Sequence, residues 1–244
     1  MKRFKITIQY DGSLFHGWQI QKNKRTVQGI IEDALSKTFK SESRIIVYGA
    51  GRTDSGVHAY GQVAHFNCFT NLNENILKKA LNSRLELDCR VKLVELVEND
   101  FHSRYSALSR QYIYQCYIGN SILFRNQSWS LKKVKLNYLN ILASKIIGTH
   151  DFLSYSKYNS DLKNTICKVE NSRWMLDGDM IIFNVVSNRF LHHMIRYLVG
   201  TMVAVSEYRF SEENFLHLLY NPRKNVRIFK APPQGLILSD IKYE

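Results

Sequence analysis

The chain has 244 residues, and its 34 lysines and arginines against 21 aspartates and glutamates give a formal net charge of +13. Its length and its 45% apolar residues are sufficient to bury a hydrophobic core without disulfides or a structural metal. The chain is therefore neither a disordered tail nor a disulfide-rich miniprotein. The charge favours a polyanion as partner, nucleic acid above all, and no run approaches the ~18 apolar residues of a membrane-spanning helix.

The cysteines and histidines do not form a metal-binding pattern. The four cysteines are Cys68, Cys89, Cys116 and Cys167. No C-x-x-C pair and no histidine at zinc-ligand spacing accompanies them, so we expect buried, reduced thiols. The adjacent His192 and His193 would point about 100° apart on a helix and could not face one ion. Since no signal segment is found, we expect a cytoplasmic protein, and without a nucleotide-binding glycine fingerprint a redox or phosphoryl role is unsupported.

The first half follows a strand-helix-strand-strand-helix-strand order. Alternating apolar residues predict a strand over residues 4–10, and Thr26 is the expected N-cap of a helix with one apolar stripe. Two buried strands are expected on either side of a loop at residues 48–59, before a helix over residues 73–85 and a strand over residues 91–97. This order is that of a ferredoxin-like subdomain.

Aromatic and basic residues share the connection after the first strand. Phe15 and Trp18 lie close in sequence to Lys22, Lys24 and Arg25. Aromatic faces beside cations suit the bases and phosphates of an RNA loop, but Trp18 could equally anchor the connection to the core. The sequence leaves both interpretations open.

The loop at residues 48–59 has the composition of a functional loop. It contains three glycines, and its only charges are Arg52 and Asp54. In an extended backbone these two side chains point the same way and could share one face of a cleft. Taken alone, an Arg-x-Asp in a loop is more simply a solvated arginine and a turn-capping aspartate.

The second half begins after a hinge at residues 101–107, which has no hydrophobic period. A strand over residues 109–118 places Tyr112 and Tyr114 on one face. A helix is predicted over residues 136–147.

The remaining elements complete a second β-α-β-β-α-β order. Residues 148–152 are expected to be a loop, and residues 155–163 are either a mobile loop near the substrate or a solvated surface loop. A hairpin joins strands at residues 165–174 and 180–186, and residues 231–238 lead into a last strand. We therefore predict two α+β subdomains with mixed or antiparallel sheets joined across a central cleft, and we place the subdomains at residues 1–103 and 104–244.

Arg196 lies within a run, residues 190–202, that is apolar almost all round and predicts a buried helix. An unpaired buried charge costs several kcal/mol, so the guanidinium needs a carboxylate or an equivalent set of acceptors. From the residues alone, a structural ion pair explains such a buried arginine more often than a catalytic role does.

Motifs recur at five places along nearly the whole chain: Thr-Val-Gln-Gly at residues 26–29, Gly-Arg-Thr-Asp-Ser-Gly-Val-His-Ala at 51–59, Gly-Thr-His-Asp-Phe at 148–152, Met-Ile-Arg at 194–196 with Val-Gly-Thr at 199–201, and the segment 231–238. Together they resemble the tRNA pseudouridine synthase A family. The resemblance implies the pseudouridine synthase fold and an isomerase that converts uridine to pseudouridine at positions 38, 39 and 40 of the tRNA anticodon stem-loop. It also implies a homodimer that binds tRNA and needs no metal or cofactor.

The resemblance assigns a role to each candidate site residue. Asp54 corresponds to the catalytic residue, which acts as a nucleophile on C1′ or C6 or as a base at the sugar. Tyr112 would stack on the flipped uracil, and Arg196 would hold Asp54 ionised and oriented. Arg52 would meet a phosphate or help hold the flipped nucleotide. Tyr197 departs from the pattern, which usually has asparagine there.

Two other function classes remain open at this stage. A non-catalytic RNA-binding protein would keep the basic surface without turnover. A carboxylate-dependent nucleoside hydrolase would need a second placed carboxylate, for which Asp151 is a distant candidate.

Overall fold

The computed structural model describes residues 1–132, 134–158 and 164–244. Within these ranges the chain forms ten strands, five α-helices and four short 3₁₀ helices, which confirms the predicted α+β class. None of the described helices has the length and apolar content needed to cross a bilayer. Residues 159–163 of the predicted substrate loop lie outside the described residues.

The strands and helices are numbered in chain order. The strands are β1 (Lys2–Tyr10), β2 (Tyr48–Gly49), β3 (His58–Cys68), β4 (Cys89–Val97), β5 (Ser109–Tyr117), β6 (Trp129–Ser130), β7 (Gly148–Asp151), β8 (Ile166–Asp177), β9 (Met180–Ser187) and β10 (Leu236–Lys242). The α-helices are α1 (Val27–Phe39), α2 (Glu74–Asn82), α3 (Leu136–Lys145), α4 (Met194–Ser206) and α5 (Glu212–Tyr220).

The chain divides into two compact units. The first contains residues 1–108 together with the C-terminal residues 237–244, and the second contains residues 109–236. The C-terminal strand belongs to the first unit because β10 pairs in parallel with β3. The sequence-based limits, 1–103 and 104–244, stay a proposal about where the domains divide.

The first unit is built on β1. This strand pairs antiparallel with β3 on one side and β4 on the other, and α1 and α2 complete the predicted order. Phe4, Ile6 and Ile8 of β1 are at most 1% exposed, and each such side chain contributes roughly 1.5–3 kcal/mol by burial. The predicted cap of α1 is confirmed, because Thr26 Oγ1 accepts a hydrogen bond from Gly29 N at 3.3 Å.

The strand predicted before residue 48 is absent, because residues 45–47 have no regular secondary structure and β2 lies inside the predicted loop. β2 has only two residues, and Ile46 before it is 48% exposed. The main chain of Val47 finds its partners in side chains of α1 and needs no neighbouring strand. Gln28 Nε2 donates to Val47 O at 3.0 Å, and Val47 N donates to Glu32 Oε1 at 3.0 Å.

The second unit is an antiparallel sheet in the order β5-β9-β8-β7, with β6 pairing in parallel with β5. The predicted hairpin between β8 and β9 is confirmed: Asp177 pairs with Met180, and Gly178 supplies a positive φ of 56° at the turn. α3 packs on β8, while α4 contacts α3 and α5.

Three details of the second unit correct the sequence analysis. Residues 148–152 were predicted to be a loop, but β7 pairs with β8 there, because Gly148 opposes Val169. α5 was not predicted. Tyr155, assigned to a surface loop, is fully buried, and its hydroxyl donates to Phe215 O of α5 at 2.8 Å.

Candidate active site

Asp54 lies on the loop between β2 and β3. Arg52 is exposed, Asp54 is partly exposed, and Thr53 between them is only 7% exposed. Side chains on an extended backbone alternate between its two sides. The burial pattern therefore places Thr53 against the core and directs Arg52 and Asp54 outward, as their spacing predicted.

Hydrogen bonds hold the loop on both sides of Asp54. The Thr53 hydroxyl lies 2.8 Å from the hydroxyl of Tyr10, and Thr53 O accepts from Trp18 N at 3.1 Å. After Asp54, Gly56 N donates to Phe15 O at 3.3 Å. A hydrogen bond contributes a net ~0.5–1.5 kcal/mol, so these bonds tie the loop firmly to the segment that follows β1.

Two glycines in that segment allow this close approach. A Cβ on Gly12 would lie 2.1 Å from Val57 O, and a Cβ on Gly17 would lie 2.6 Å from Thr53 O. Gly17 also has a positive φ of 87°, which L-residues adopt with strain. Any side chain at either position would push the loop of Asp54 away.

The aromatic residues of the same segment are part of the core. Phe15 and Trp18 are each 2% exposed, and Trp18 packs so tightly on Gly49 that a Cβ there would lie 2.5 Å from the indole. Arg25 stacks on Phe15 at 4.1 Å and pairs with Asp88 at 2.8 Å. Burial of both rings rules out base stacking by Phe15 and Trp18, so the packing interpretation is the one that holds.

A polar pair inside α1 connects the segment to β2. Gln28 Oε1 accepts from Ile20 N at 3.2 Å, while its Nε2 donates to Val47 O at 3.0 Å. Glu32, one turn later, accepts from Val47 N and pairs with Arg44. The sequence analysis missed both roles. The sequence did contain a signal, because Gln28 and Glu32 are polar residues four positions apart on the apolar stripe of α1.

His58, at the start of β3, fixes the end of β1. Its ring is 4% exposed, and Nδ1 accepts from Gly12 N at 3.0 Å. The same nitrogen lies 3.1 Å from Asp11 Oδ1. Burial alone would raise the pKa of Asp11, but hydrogen bonds from Ser13 and the nearby His58 outweigh it and lower the pKa below its usual value.

In the second unit, Tyr112 lies on β5. It is 8% exposed and makes an edge-to-face contact with Phe190 at 5.2 Å. Tyr114 is buried on the same face, as predicted, and its hydroxyl donates to Pro232 O at 2.8 Å. Burial raises the pKa of Tyr114 far above its usual value, so this phenol stays neutral and structural.

Arg196 lies in the first turn of α4 and is 8% exposed. Its Nε donates to Ala231 O at 2.9 Å, and its own carbonyl accepts from Ala231 N at 2.9 Å. We call residues 229–235 the strap. A Cβ on Gly200 would lie 2.5 Å from Phe229 O, and a Cβ on Gly235 would lie 2.6 Å from the Tyr114 ring. Glycines at these positions let the strap lie directly on α4 and β5.

The helix of Arg196 begins later than predicted. His193 is its N-cap, with a positive φ of 64°, and the first helical residue is Met194. The rings of His192 and His193 have their centroids 4.0 Å apart. The pair therefore precedes the helix, and the helical spacing used in the sequence analysis does not apply to it.

The structure places the four predicted site residues on three elements. Arg52 and Asp54 share one loop of the first unit, while Tyr112 on β5 and Arg196 on α4 lie in the second unit, next to the strap. Asp151, the alternative second carboxylate, accepts a hydrogen bond from Leu153 N at 2.9 Å, which is a local turn interaction.

Comparison with known proteins agrees with the resemblance that the sequence motifs indicated. The profile of the family described as tRNA pseudouridine synthase matches residues 6–106 and 142–244. The tRNA pseudouridine synthase A of Geobacillus sp. (strain WCH70) is 35% identical over 100% of this chain and 99% of its own length. The enzymes of that name from Limosilactobacillus reuteri (strain DSM 20016) and Borreliella afzelii (strain PKo) are each 36% identical over 100% of this chain and 97% and 100% of their lengths. Similarity of this extent, which includes both the loop of Asp54 and the helix of Arg196, shows that the chain belongs to the tRNA pseudouridine synthase family of isomerases.

Proposed function

We propose that this chain converts uridine to pseudouridine at positions 38, 39 and 40 of the tRNA anticodon stem-loop. The relatives named tRNA pseudouridine synthase A support tRNA as the substrate, and the motifs support the three positions. The formal net charge of +13 suits a polyanion of this size.

The reaction itself is redox-neutral. The C1′–N1 bond breaks, the uracil turns, and a C1′–C5 bond forms, while C5 loses a proton and N1 gains one. No electron donor or acceptor is consumed, so the chemistry requires a placed acid-base or nucleophilic group. The target base must first leave the stack, which costs a few kcal/mol.

The observation that carries the proposal is the fixed position of Asp54. The carboxylate is partly exposed, yet the main chain on either side is hydrogen-bonded to the segment after β1. Pre-positioning of a reacting group accounts for a large part of enzymatic rate enhancement. We assign Asp54 as the nucleophile toward C1′ or C6, or as the base at the sugar. Each of these routes requires its ionised form.

The other predicted residues receive supporting roles. We assign the terminal nitrogens of Arg196 to the carboxylate of Asp54, because the strap already occupies Nε. Tyr112, whose ring is held by Phe190, is assigned to stacking on the flipped uracil. Arg52, exposed on the same loop as Asp54, is assigned to a phosphate of the target strand.

We also propose a homodimer and a cytoplasmic location. The dimer is proposed because the sequence motifs resemble those of the tRNA pseudouridine synthase A family, and this resemblance implies a homodimer. The location is supported by the cysteines, all four of which are buried free thiols. Burial raises the pKa of Cys68 and Cys167 to about 11 and that of Cys89 to about 12, so these thiols are unreactive at neutral pH.

Pseudouridine mapping tests the proposal. The substrate is an unmodified tRNA transcript with uridines at positions 38, 39 and 40, and the control transcript carries cytidines there. We expect conversion of all three uridines and no release of free uracil. Conversion elsewhere in the control transcript would contradict the assigned positions. Release of free uracil would favour the nucleoside hydrolase, and binding without conversion on any tRNA would favour the RNA-binding protein.

A further inference from the structure

A basic cleft in the second unit has no role in the proposed chemistry. It has a volume of about 350 Å³ and lies between the segment after β7, the first turn of α4 and the segment after α5. This volume is at the lower end of the ~300–1,000 Å³ that is typical of ligand pockets. The charged and aromatic side chains that line it are Lys157, Tyr158, Tyr197, Arg223 and Lys224.

The charge of the cleft has one sign. The described residues that line it include three cations, Lys157, Arg223 and Lys224, and no carboxylate. All three are exposed. Three cations around one concave surface, without acidic partners among the described lining residues, create a positive potential that attracts an anion.

The cations project from main chain that is held in place. Arg223 N donates to Ser154 Oγ at 2.9 Å, and Lys157 N donates to His192 O at 2.9 Å. Lys224 Nζ lies 4.2 Å from the centre of the Tyr158 ring and donates to its hydroxyl at 3.0 Å. These contacts reduce the entropy that the cations lose when they bind a ligand.

The cleft opens beside the helix end that carries Arg196. Tyr197 follows Arg196 directly and lines the cleft, and the main chain of Lys157 is joined to that of His192 before α4. A nucleic acid that brings its base to the proposed active site would therefore carry its neighbouring phosphates past these cations.

We infer that this cleft binds a backbone phosphodiester of the tRNA strand that flanks the target nucleotide, through Lys157, Arg223 and Lys224. The inference rests on the proposed function, because the flanking strand is defined by the uridine that reacts. Lysine and arginine neutralise phosphates and release condensed counterions, so this contact strengthens binding without reading the sequence. The site raises affinity for tRNA and takes no part in bond breaking.

The test compares two double variants with equal loss of charge. Lys157→Ala/Lys224→Ala removes two cations of the cleft. Lys145→Ala/Lys168→Ala removes two exposed lysines of the same unit, on α3 and β8, that do not line the cleft. Binding of unmodified tRNA is measured from low to moderate salt, and single-turnover conversion is measured at saturating protein. Thermal unfolding checks that both variants are folded.

We expect the cleft variant to bind tRNA about five- to twenty-five-fold more weakly at low salt. The slope of log K against log salt is expected to shrink by about 0.7–0.9, the value for one lost phosphate contact. The rate constant at saturation stays within about twofold of wild type, because no catalytic group is removed.

The outcomes separate this inference from the proposed function. If the wild type converts uridine and both double variants show the same affinity and slope, the cleft assignment is overturned and the proposed function stands. If the wild type binds tRNA without converting it, but the cleft variant alone binds weakly, the proposed function fails and the phosphate site stands. If the wild type neither binds nor converts tRNA, both are overturned.

Discussion

Replacing Gly17 by alanine tests how the loop of Asp54 is held. The new Cβ would lie 2.6 Å from Thr53 O, 3.1 Å from Asp54 C and 3.2 Å from Ser55 N. All three are main-chain atoms, so no side-chain rotation can relieve the contact. Either the segment after β1 or the loop itself must shift.

The expected cost has two sources. A left-handed conformation costs an L-residue ~1–2 kcal/mol, and Gly17 has a φ of 87°. The crowding against Thr53 adds roughly 1–3 kcal/mol, the range typical of overpacking. The free energy of unfolding should therefore fall by about 2–5 kcal/mol. Displacement of a catalytic group by about 1 Å can lower the rate about 10²-fold, so conversion by the folded variant should fall by a similar factor.

Urea unfolding and single-turnover conversion of tRNA measure these two effects. Gly51→Ala is the matched stability control, because a Cβ at Gly51 has no neighbour within 4 Å among the described residues and should change stability by at most about 0.5 kcal/mol. The reasoning is refuted if both variants lose the same stability. It is also refuted if Gly17→Ala is destabilised but converts uridine at the wild-type rate.

Three further predictions follow from the hydrogen-bonded supports and from a buried histidine. Glu32→Ala removes the acceptor of Val47 N and the partner of Arg44, so the free energy of unfolding measured in urea should fall by about 1–3 kcal/mol. The control Asp33→Ala, in the exposed pair with Lys37, should lower it by at most about 0.5 kcal/mol. Equal losses in the two variants would contradict this prediction. Gly200→Ala places a Cβ 2.5 Å from Phe229 O and should displace the strap from Arg196. Both the melting temperature and the single-turnover rate should therefore fall. An unchanged rate would mean that the strap does not position Arg196. Burial, with the charges of His102 and Arg3, lowers the pKa of His65 from 6.5 to about 4. Because the unfolded chain binds this proton and the folded chain does not, stability is complete above pH 6.5 and falls as the pH drops toward 4, by up to about 1.4 kcal/mol per pH unit. His65→Gln should show a shallower decline over this window, and an identical profile would refute the assignment.

The sequence was informative where structure is determined locally. Thr26 could be identified as an N-cap because its hydroxyl serves a main-chain amide three residues later. The turn at Gly178 could be predicted because few other residues accept its positive φ. The position of Asp54 on a loop followed from the glycines around it.

The missed features depend on contacts between distant residues. Residues 45–47 form no strand, and side chains of α1 satisfy the main chain of Val47 instead. Trp18 is buried against Gly49, which has no side chain to keep the indole away, and no local pattern reveals this. The strap is another such case, since its contact with α4 joins Arg196 to Ala231, 35 residues later. Composition showed a basic surface but not the cleft in which Lys157 and Lys224 lie together.

The most direct test of the central claim is single-turnover conversion by Asp54→Asn on one unmodified tRNA transcript, with the dissociation constant measured alongside. Asparagine keeps the size of the side chain and removes its charge. Asp177→Asn, at an exposed position in the hairpin of β8 and β9, is the matched control. We predict that Asp54→Asn binds tRNA within about threefold of wild type and converts uridine on the order of 10³-fold more slowly or not at all, as expected for loss of the catalytic carboxylate, while the control keeps the wild-type rate. Conversion by Asp54→Asn at a rate close to that of the control would contradict the account.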